Sequence, residues 1–339
     1  MKPNNNRTFI IAEAGVNHNG SLKKALKLIN VAAAAGANAI KFQTFRAENL
    51  ATDYAPKAEY QNYNSLKKET QFKMLKKLEF TEAMHNACFK ECKKKKIIFI
   101  SSAFDIESLN YLKKFKLIYF KVPSGEITNI PYLEFLGKLK KKIILSTGMS
   151  SIPEIKKAIK TLTINGTKKK NIKLMQCTSA YPAPYDEINL NAIATLKSIF
   201  KLDIGFSDHS LGVQASIAAA ALGAKVIEKH LTLSKKLKGP DHRASLDPRE
   251  FKFMIQSIRI VEKTLGDKIK KITKSERKNI NIIRKSIVAK KKIKKGEKFT
   301  KENITTKRPA GGLSPINWKK VIGRKAMRNF NYDDFILLR

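Results

Sequence analysis

Short apolar runs recur along the first 265 positions, each followed by a stretch whose apolar residues return every three or four places. The runs at 10–12, 39–42, 97–101, 118–122, 143–146, 172–176, 203–206 and 225–228 have the length of buried parallel strands. The stretches at 22–35, 81–93, 106–115, 152–162, 213–222 and 248–265 carry the period of helices with one buried face. Glycine and polar clusters punctuate the exchanges. Eight such units in about 250 residues predict an α/β fold, a closed (β/α)8 barrel over 1–265, better than an open sheet. No Gly-x-Gly-x-x-Gly opens a helix, as a dinucleotide fold would require. Ser151 and Glu154 have the spacing of a capping box ahead of 152–162.

The pattern then changes. Residues 266–281 are polar and lysine-rich and read as a linker or a solvated helix. From 282 to 339 the elements are short, broken by Gly296, Pro309, Gly311, Gly312, Pro315 and Gly323. Residues 286–289 predict a strand and 294–297 a turn. A small β-rich domain is expected there, near the size at which a chain needs outside packing to hold its fold.

A formal charge of +40 invites a nucleic-acid reading, but lysine outnumbers arginine by 57 to 11 and the lysines are spread along the whole chain. No aromatic residues interleave them as on a base-stacking surface. The charge therefore reads as solvated surface, with no nucleic-acid partner. No apolar run approaches the roughly 18–20 residues needed to cross a bilayer. Residues 1–7 lack the apolar core of a signal peptide, so a cytoplasmic protein without a membrane partner is expected. Cys88, Cys92 and Cys177 fit packed thiols better than a disulfide or a metal pair.

The barrel reading directs attention to the C-terminal ends of the strands, where such folds carry their chemistry. Every strand ends in polar residues: Glu13; Lys41 and Gln43; Ser101, Ser102 and Asp105; Lys121, Ser124 and Glu126; Ser146 and Thr147; Thr178, Ser179 and Tyr181; Ser207, Asp208 and His209; His230 and Thr232. Turn chemistry explains any one of them but not the full rim. His209 and His230 are one βα unit apart and should converge, as two neutral imidazoles open to a first-row divalent ion. Lys41 and Lys121 would be costly to bury without an anion. With Ser102, Ser124, Ser179 and Ser207 they could hold a phosphate and a carboxylate. Asp241, in the loop 238–243, could meet a sugar hydroxyl.

These residues lie in segments that resemble the sialic acid synthase family, the N-acetylneuraminate synthases and their legionaminate relatives. The matching segments are Ala-Glu-Ala-Gly-Val-Asn-His-Asn-Gly at 12–20, Ile-Lys-Phe-Gln-Thr-Phe at 40–45 and Pro-Lys-Ala-Glu-Tyr-Gln at 56–61. Lys-Val-Pro-Ser-Gly-Glu at 121–126, Leu-Ser-Thr-Gly-Met at 145–149 and Gly-Phe-Ser-Asp-His-Ser at 205–210 follow. Glu-Lys-His at 228–230, Gly-Pro-Asp-His at 239–242 and Thr-Lys-Arg-Pro at 306–309 complete the set. Two segments depart from the common pattern: Ser-Ser-Ala-Phe at 101–104 replaces Ser-Thr-Pro-Phe, and Pro-Ala-Gly-Gly at 309–312 replaces Pro-Gly-Asn-Gly.

The resemblance implies a barrel followed by an antifreeze-like (SAF) domain. It implies an enzyme joining phosphoenolpyruvate to N-acetylmannosamine with C–O cleavage and loss of phosphate, giving N-acetylneuraminate; the alternative acceptor is 2,4-diacetamido-2,4,6-trideoxymannose, giving legionaminate. His209 and His230 would bind a divalent ion, Mn²⁺ in first place with Mg²⁺ or Co²⁺ as alternatives. Lys41, Lys121, Ser102, Ser124, Ser179 and Ser207 would surround phosphoenolpyruvate. Glu13, Gln43, Tyr181 and Asp241 would orient the amino sugar, and Glu126 would lie by the metal and its water. Glu13, Glu126 and Lys121 are the expected catalytic groups. Arg308 would reach the sugar from a partner subunit in a domain-swapped homodimer.

Overall fold

A computed structural model describes residues 7–62 and 69–338. Eight parallel strands close into a barrel in sequence order: β1 (Phe9–Gly15), β2 (Ala39–Thr44), β3 (Ile98–Ala103), β4 (Tyr119–Val122), β5 (Lys142–Ser146), β6 (Ile172–Cys177), β7 (Asp203–Asp208) and β8 (Val226–His230). One main helix follows each strand: α1 (Leu22–Ala35), α2 (Glu82–Lys95), α3 (Ile106–Leu112), α4 (Ile130–Lys138), α5 (Ile152–Ile164), α6 (Ala192–Phe200), α7 (Gln214–Ala221) and α8 (Pro248–Thr264). The shorter helices Ala47–Leu50, Glu59–Asn62 and Gln71–Leu78 lie between β2 and α2.

Local chemistry sets the helix ends. Ser21 caps α1 by accepting from the Lys24 N–H, and Gly36 closes it in the left-handed region at φ 90°. Between them Ala25, Leu28, Ile29 and Ala32 are buried, at the spacing of one helical face. Asp247 and Glu250 form a capping box at the start of α8, with Pro248 in its first turn. At α5 the expected pair is present, the Ser151 N–H and hydroxyl donating to Glu154 at 2.7 and 2.6 Å.

Alternation along each strand separates two apolar layers. One set, including Ile10, Ala12, Ile40, Phe42, Phe99, Phe120, Ile143, Leu145, Leu174, Phe206 and Ile227, packs in the large cluster with the helices. The intervening residues Ile11, Ala39, Ile100, Ile144, Met175 and Val226 form a separate cluster inside the barrel. A two-residue step from these interior positions toward the C-terminal end arrives at Glu13, Lys41, Ser102, Ser146, Cys177 and Glu228. The apolar plug thus floors a polar chamber.

Strands β1, β2, β3, β7 and β8 run further than the apolar pattern predicts, because their last residues stay in the ladder although their side chains are polar. Glu13, Ser102, Ser207 and His230 therefore sit within strands instead of after them, and Lys41 and Lys121 lie inside β2 and β4. The stretch read as one helix over 106–115 divides into α3 and a 3₁₀ turn, Lys113–Phe115.

The chain separates after Gly266 into two compact units. In the second, Thr273 and Glu276 cap a helix, Lys274–Ile283, in the stretch read as a linker or solvated helix. β9 (Ser286–Ala289) pairs antiparallel with β10 (Ile304–Lys307) over a core that includes Ile287, Ile293, Phe299, Val321, Phe330 and Ile336. Among the described residues no helix is long and apolar enough to cross a membrane.

One ion pair is entirely enclosed. Lys229 Nζ lies 3.0 Å from Asp208 Oδ2, both side chains with 0% exposure, and donates to the Ser210 carbonyl at 2.6 Å. Asp208 also accepts from the Ser210 N–H and hydroxyl and from the Ser216 hydroxyl. Asp208→Ala leaves a buried ammonium uncompensated and should lower stability by about 3–5 kcal/mol in urea unfolding. Asp203→Ala, which removes the half-exposed partner of Lys173, should cost less than about 1 kcal/mol. Equal losses for the two variants would contradict this reading of burial.

Candidate active site

Strand register builds the chamber as a ring. Glu13 aligns with Lys41 on one side and with His230 on the other. Ser102 aligns with Gln43 and Lys121, and Ser207 with Cys177 and Glu228. Glu13, Lys41, Lys121, Glu228, His209, His230 and Asp241 are all buried.

Opposite charges compensate one another inside the ring. Lys41 Nζ is 2.9 Å from Glu13 Oε2 and 3.7 Å from Glu228 Oε1, and it donates to Ser102 Oγ at 3.1 Å. Lys121 Nζ is also 3.7 Å from Glu228 Oε1 and donates to Ser146 Oγ at 2.7 Å. Ser207 Oγ donates to the same Glu228 oxygen at 3.1 Å. Burial opposes the charge on Lys41, but Glu13 and Glu228 outweigh it and raise its pKa. For Lys121 burial dominates and the pKa falls despite Glu228. Burial also works against ionised Glu228, yet Lys121 and Lys41 hold it below the usual carboxylate range. Burial lifts Glu13 to about 7, against the pull of Lys41.

Two glycines let polar groups converge beside this ring. At Gly15, with φ +48°, an added Cβ would lie 3.2 Å from Glu13 Oε1, 3.4 Å from Gln43 Nε2 and 3.5 Å from Asp241 Oδ2. These three groups from separate elements therefore face one small space. Gln43 donates to Glu13 at 3.4 Å, and burial lifts Asp241 to about 6. The Asp241 loop is fixed by Ser245 Oγ, which donates to the Asp241 carbonyl at 2.6 Å, and by His242, whose ring contacts Thr232 and Asn19. At Gly148 an added Cβ would meet Ser179 Oγ at 2.3 Å, Ser124 Oγ at 2.8 Å and Cys177 Sγ at 3.0 Å. The Gly148 N–H donates to Ser124 Oγ at 3.1 Å. Only a residue without a side chain leaves these groups their common space.

The imidazoles of His209 and His230 meet with ring centres 5.6 Å apart. His209 Nδ1 is 2.6 Å from the Thr178 carbonyl, which can only accept, so Nδ1 carries the proton and Nε2 the lone pair. Nε2 faces the Tyr181 hydroxyl at 3.1 Å and Ser207 Oγ at 3.4 Å. Burial holds His209 down to about 4 and His230 well below its ordinary value, so both rings are neutral, the form that ligates a metal. His230 Nδ1 is buried with no hydrogen-bond partner and lies 3.7 Å from Asp241. A lone pair that faces only hydroxyl groups on one ring and an orphaned nitrogen on the other fit a divalent ion. Among the described residues no third His, Cys, Asp or Glu completes a ligand cluster, so positions would remain for water and substrate.

The structure does not join every expected residue to this group. Glu126 lies in a 3₁₀ turn, accepts from Asn129 Nδ2 at 2.6 Å, and makes no hydrogen bond or ion pair with either imidazole. Burial raises its pKa, with Asp105 adding to the effect. Arg308 is exposed beyond the end of β10, in the second unit. Cys88 and Cys92 are free thiols packed in the helix layer. Three groups have no role in the sequence pattern: Glu228, Cys177 and Tyr60, whose ring lies 4.9 Å from that of Tyr181. Glu228 was within reach of the strand pattern, two residues before His230 and on the same face of β8. Nothing in the periodicity marks Tyr60, which lies on a short helix away from the strands.

Comparison with known proteins gives the same assignment along the whole chain. Residues 28–270 match the NeuB family and residues 284–338 match the SAF domain. The N,N'-diacetyllegionaminic acid synthase of Campylobacter jejuni is 52% identical over 97% of this chain and 99% of its own. The protein of the same name from Legionella pneumophila is 41% identical over 95% of this chain and 91% of its own. The crystal structure of an N-acetylneuraminic acid (sialic acid) synthetase from Leptospira borgpetersenii superposes with a TM-score of 0.71 at 34% identity, covering 83% of this chain and 94% of that one. With its buried lysine pair, its two imidazoles and these relatives, the chain belongs to the NeuB family of synthases.

Proposed function

We propose that this protein condenses phosphoenolpyruvate with an N-acetylated amino-sugar aldehyde, with C–O cleavage and release of phosphate, to make a nonulosonic acid. The observation that carries the reading is the pair Lys41 and Lys121, two enclosed ammonium groups ringed by serines and set beside two neutral imidazoles. For the acceptor, 52% identity to a named N,N'-diacetyllegionaminic acid synthase favours 2,4-diacetamido-2,4,6-trideoxymannose over the N-acetylmannosamine that the motifs put first.

Lys41 and Lys121 would bind the donor's phosphate and carboxylate, displacing contacts they now make with Glu13 and Glu228. The hydroxyls of Ser102, Ser124, Ser179 and Ser207 would complete its hydrogen bonds. Glu13, Gln43, Asp241 and Tyr181 would meet hydroxyl and amide groups of the sugar and hold its aldehyde carbon near C3 of the donor, an orientation that can supply several kcal/mol. A divalent ion held by His209 and His230 would supply Lewis acidity toward the aldehyde oxygen. The C2=C3 electron pair forms the new bond to the aldehyde carbon, whose carbonyl pair moves to oxygen. With a pKa of about 7, Glu13 can carry a proton at neutral pH and give it to that oxygen. Water adds to the electron-poor C2 and loses a proton. The C2–O bond to phosphate then breaks, its electron pair leaving with phosphate, and loss of the hydroxyl proton leaves the ketone.

Arg308 of the partner subunit would contact the sugar's N-acyl group in a domain-swapped homodimer. Its exposure leaves it available for such a contact.

His209→Ala should lower kcat/KM by at least about 10³-fold at saturating Mn²⁺. Full turnover of that variant in chelator-treated buffer would remove the imidazoles from the chemistry. Arg308→Ala should raise the acceptor KM about tenfold and leave the phosphoenolpyruvate KM unchanged; unchanged kinetics for both substrates would exclude the arm. In parallel assays with Mn²⁺, the diacetamido-trideoxy acceptor should show the higher kcat/KM, and a preference for N-acetylmannosamine would reverse the acceptor assignment.

A further inference from the structure

Glu228 lies where Lys41 and Lys121 meet. Its Oε1 is 3.7 Å from Lys41 Nζ, 3.7 Å from Lys121 Nζ, and accepts from Ser207 Oγ at 3.1 Å. Its other oxygen, Oε2, is buried and has no hydrogen-bond partner. A buried carboxylate oxygen left bare is costly unless something faces it during function.

The donor's chemistry indicates what that is. Phosphate oxygen and carboxylate both hang from C2 of phosphoenolpyruvate. If the two ammonium groups hold these two anions, C2 lies between them, on the side where Glu228 already sits. C2 is also the carbon that becomes electron-poor when the C2=C3 pair forms the new bond. We propose that Glu228 is the electrostatic partner of that developing positive charge: it opposes binding of the anionic donor slightly in the ground state and stabilises the cationic centre in the transition state. The proposal rests on the synthase reading above and adds a role for a residue outside the expected donor, acceptor and metal sets. Preorganised charge aimed at the reacting atom acts strongly in a water-poor site, because it needs no reorganisation when the reaction occurs.

Two variants separate this role from a structural one. Glu228→Gln keeps the shape and can accept from Ser207 but loses the charge; Glu228→Asp keeps the charge and withdraws it slightly. Steady-state kinetics with phosphoenolpyruvate and the acceptor, calorimetric titration of phosphoenolpyruvate into Mn²⁺-loaded protein without acceptor, and thermal unfolding are measured on the full chain. Glu228→Gln should lose about 10²–10³-fold in kcat while binding phosphoenolpyruvate as tightly as wild type or more tightly. Glu228→Asp should retain more activity than Glu228→Gln. A kcat for Glu228→Gln within about threefold of wild type would overturn the proposal. So would a loss of donor affinity as large as the loss of kcat, or a Gln variant more active than the Asp variant, since a positioning role for the lysines predicts those results. Wild-type protein that consumes no phosphoenolpyruvate with either acceptor would instead overturn the synthase reading, and this proposal with it.

Discussion

Burying an ammonium group in a protein interior is tolerated only where an opposite charge or strong acceptors replace water. Lys41 and Lys121 are placed by their strands, buried, at the mouth of a barrel, and most of the surrounding chemistry follows from that placement. Glu13 and Glu228 compensate the lysines in the resting chain, and Ser102 and Ser146 each accept a hydrogen bond from one of them. In the proposed reaction an anionic substrate would take over these roles, so the arrangement that compensates the lysines would also favour a small ligand with two negative groups. Neutral imidazoles close by complete the contrast: one side of the chamber suits anions, the other a metal or a carbonyl oxygen.

The barrel supplies this arrangement through the two-residue period of its strands. Ile11 and Glu13, Ala39 and Lys41, Ile100 and Ser102, Ile144 and Ser146, and Val226 and Glu228 are successive interior positions. The lower member of each pair packs the floor and the upper one reaches the chamber. A register slip of one residue would exchange the charged set with the apolar set that packs against the helices. The buried Asp208–Lys229 pair sits on the helix side of the neighbouring strands β7 and β8, Asp208 between Ser207 and His209 and Lys229 between Glu228 and His230. It fixes the strand ends from which His209 and His230 project.

Much of this was legible in the chain. Eight apolar runs separated by helical periods specify a barrel, and polar residues at the end of each run locate the reactive face. The residues that escaped did so for physical reasons. Glu228 falls inside the run 225–228 and stays in the ladder, but periodicity alone does not show that its carboxylate meets both buried lysines. Glu126 sits one turn beyond β4, and sequence spacing does not reveal that its carboxylate turns toward Asn129. Tyr60 approaches Tyr181 from a short helix far away in sequence, a contact only the folded chain defines. The large positive charge, in contrast, is distributed over exposed lysines such as Lys76 and Lys114, paired with Glu48 and Glu82 at the surface.

The central claim is that water attacks C2 of a donor held by the lysine pair, so that the bond between carbon and the bridging oxygen breaks. Phosphoenolpyruvate labelled with ¹⁸O at that bridging oxygen tests it most directly when turned over with Mn²⁺ and the diacetamido-trideoxy acceptor. The account predicts that each phosphate released carries one labelled atom. Unlabelled phosphate would show cleavage between phosphorus and oxygen, and would contradict it.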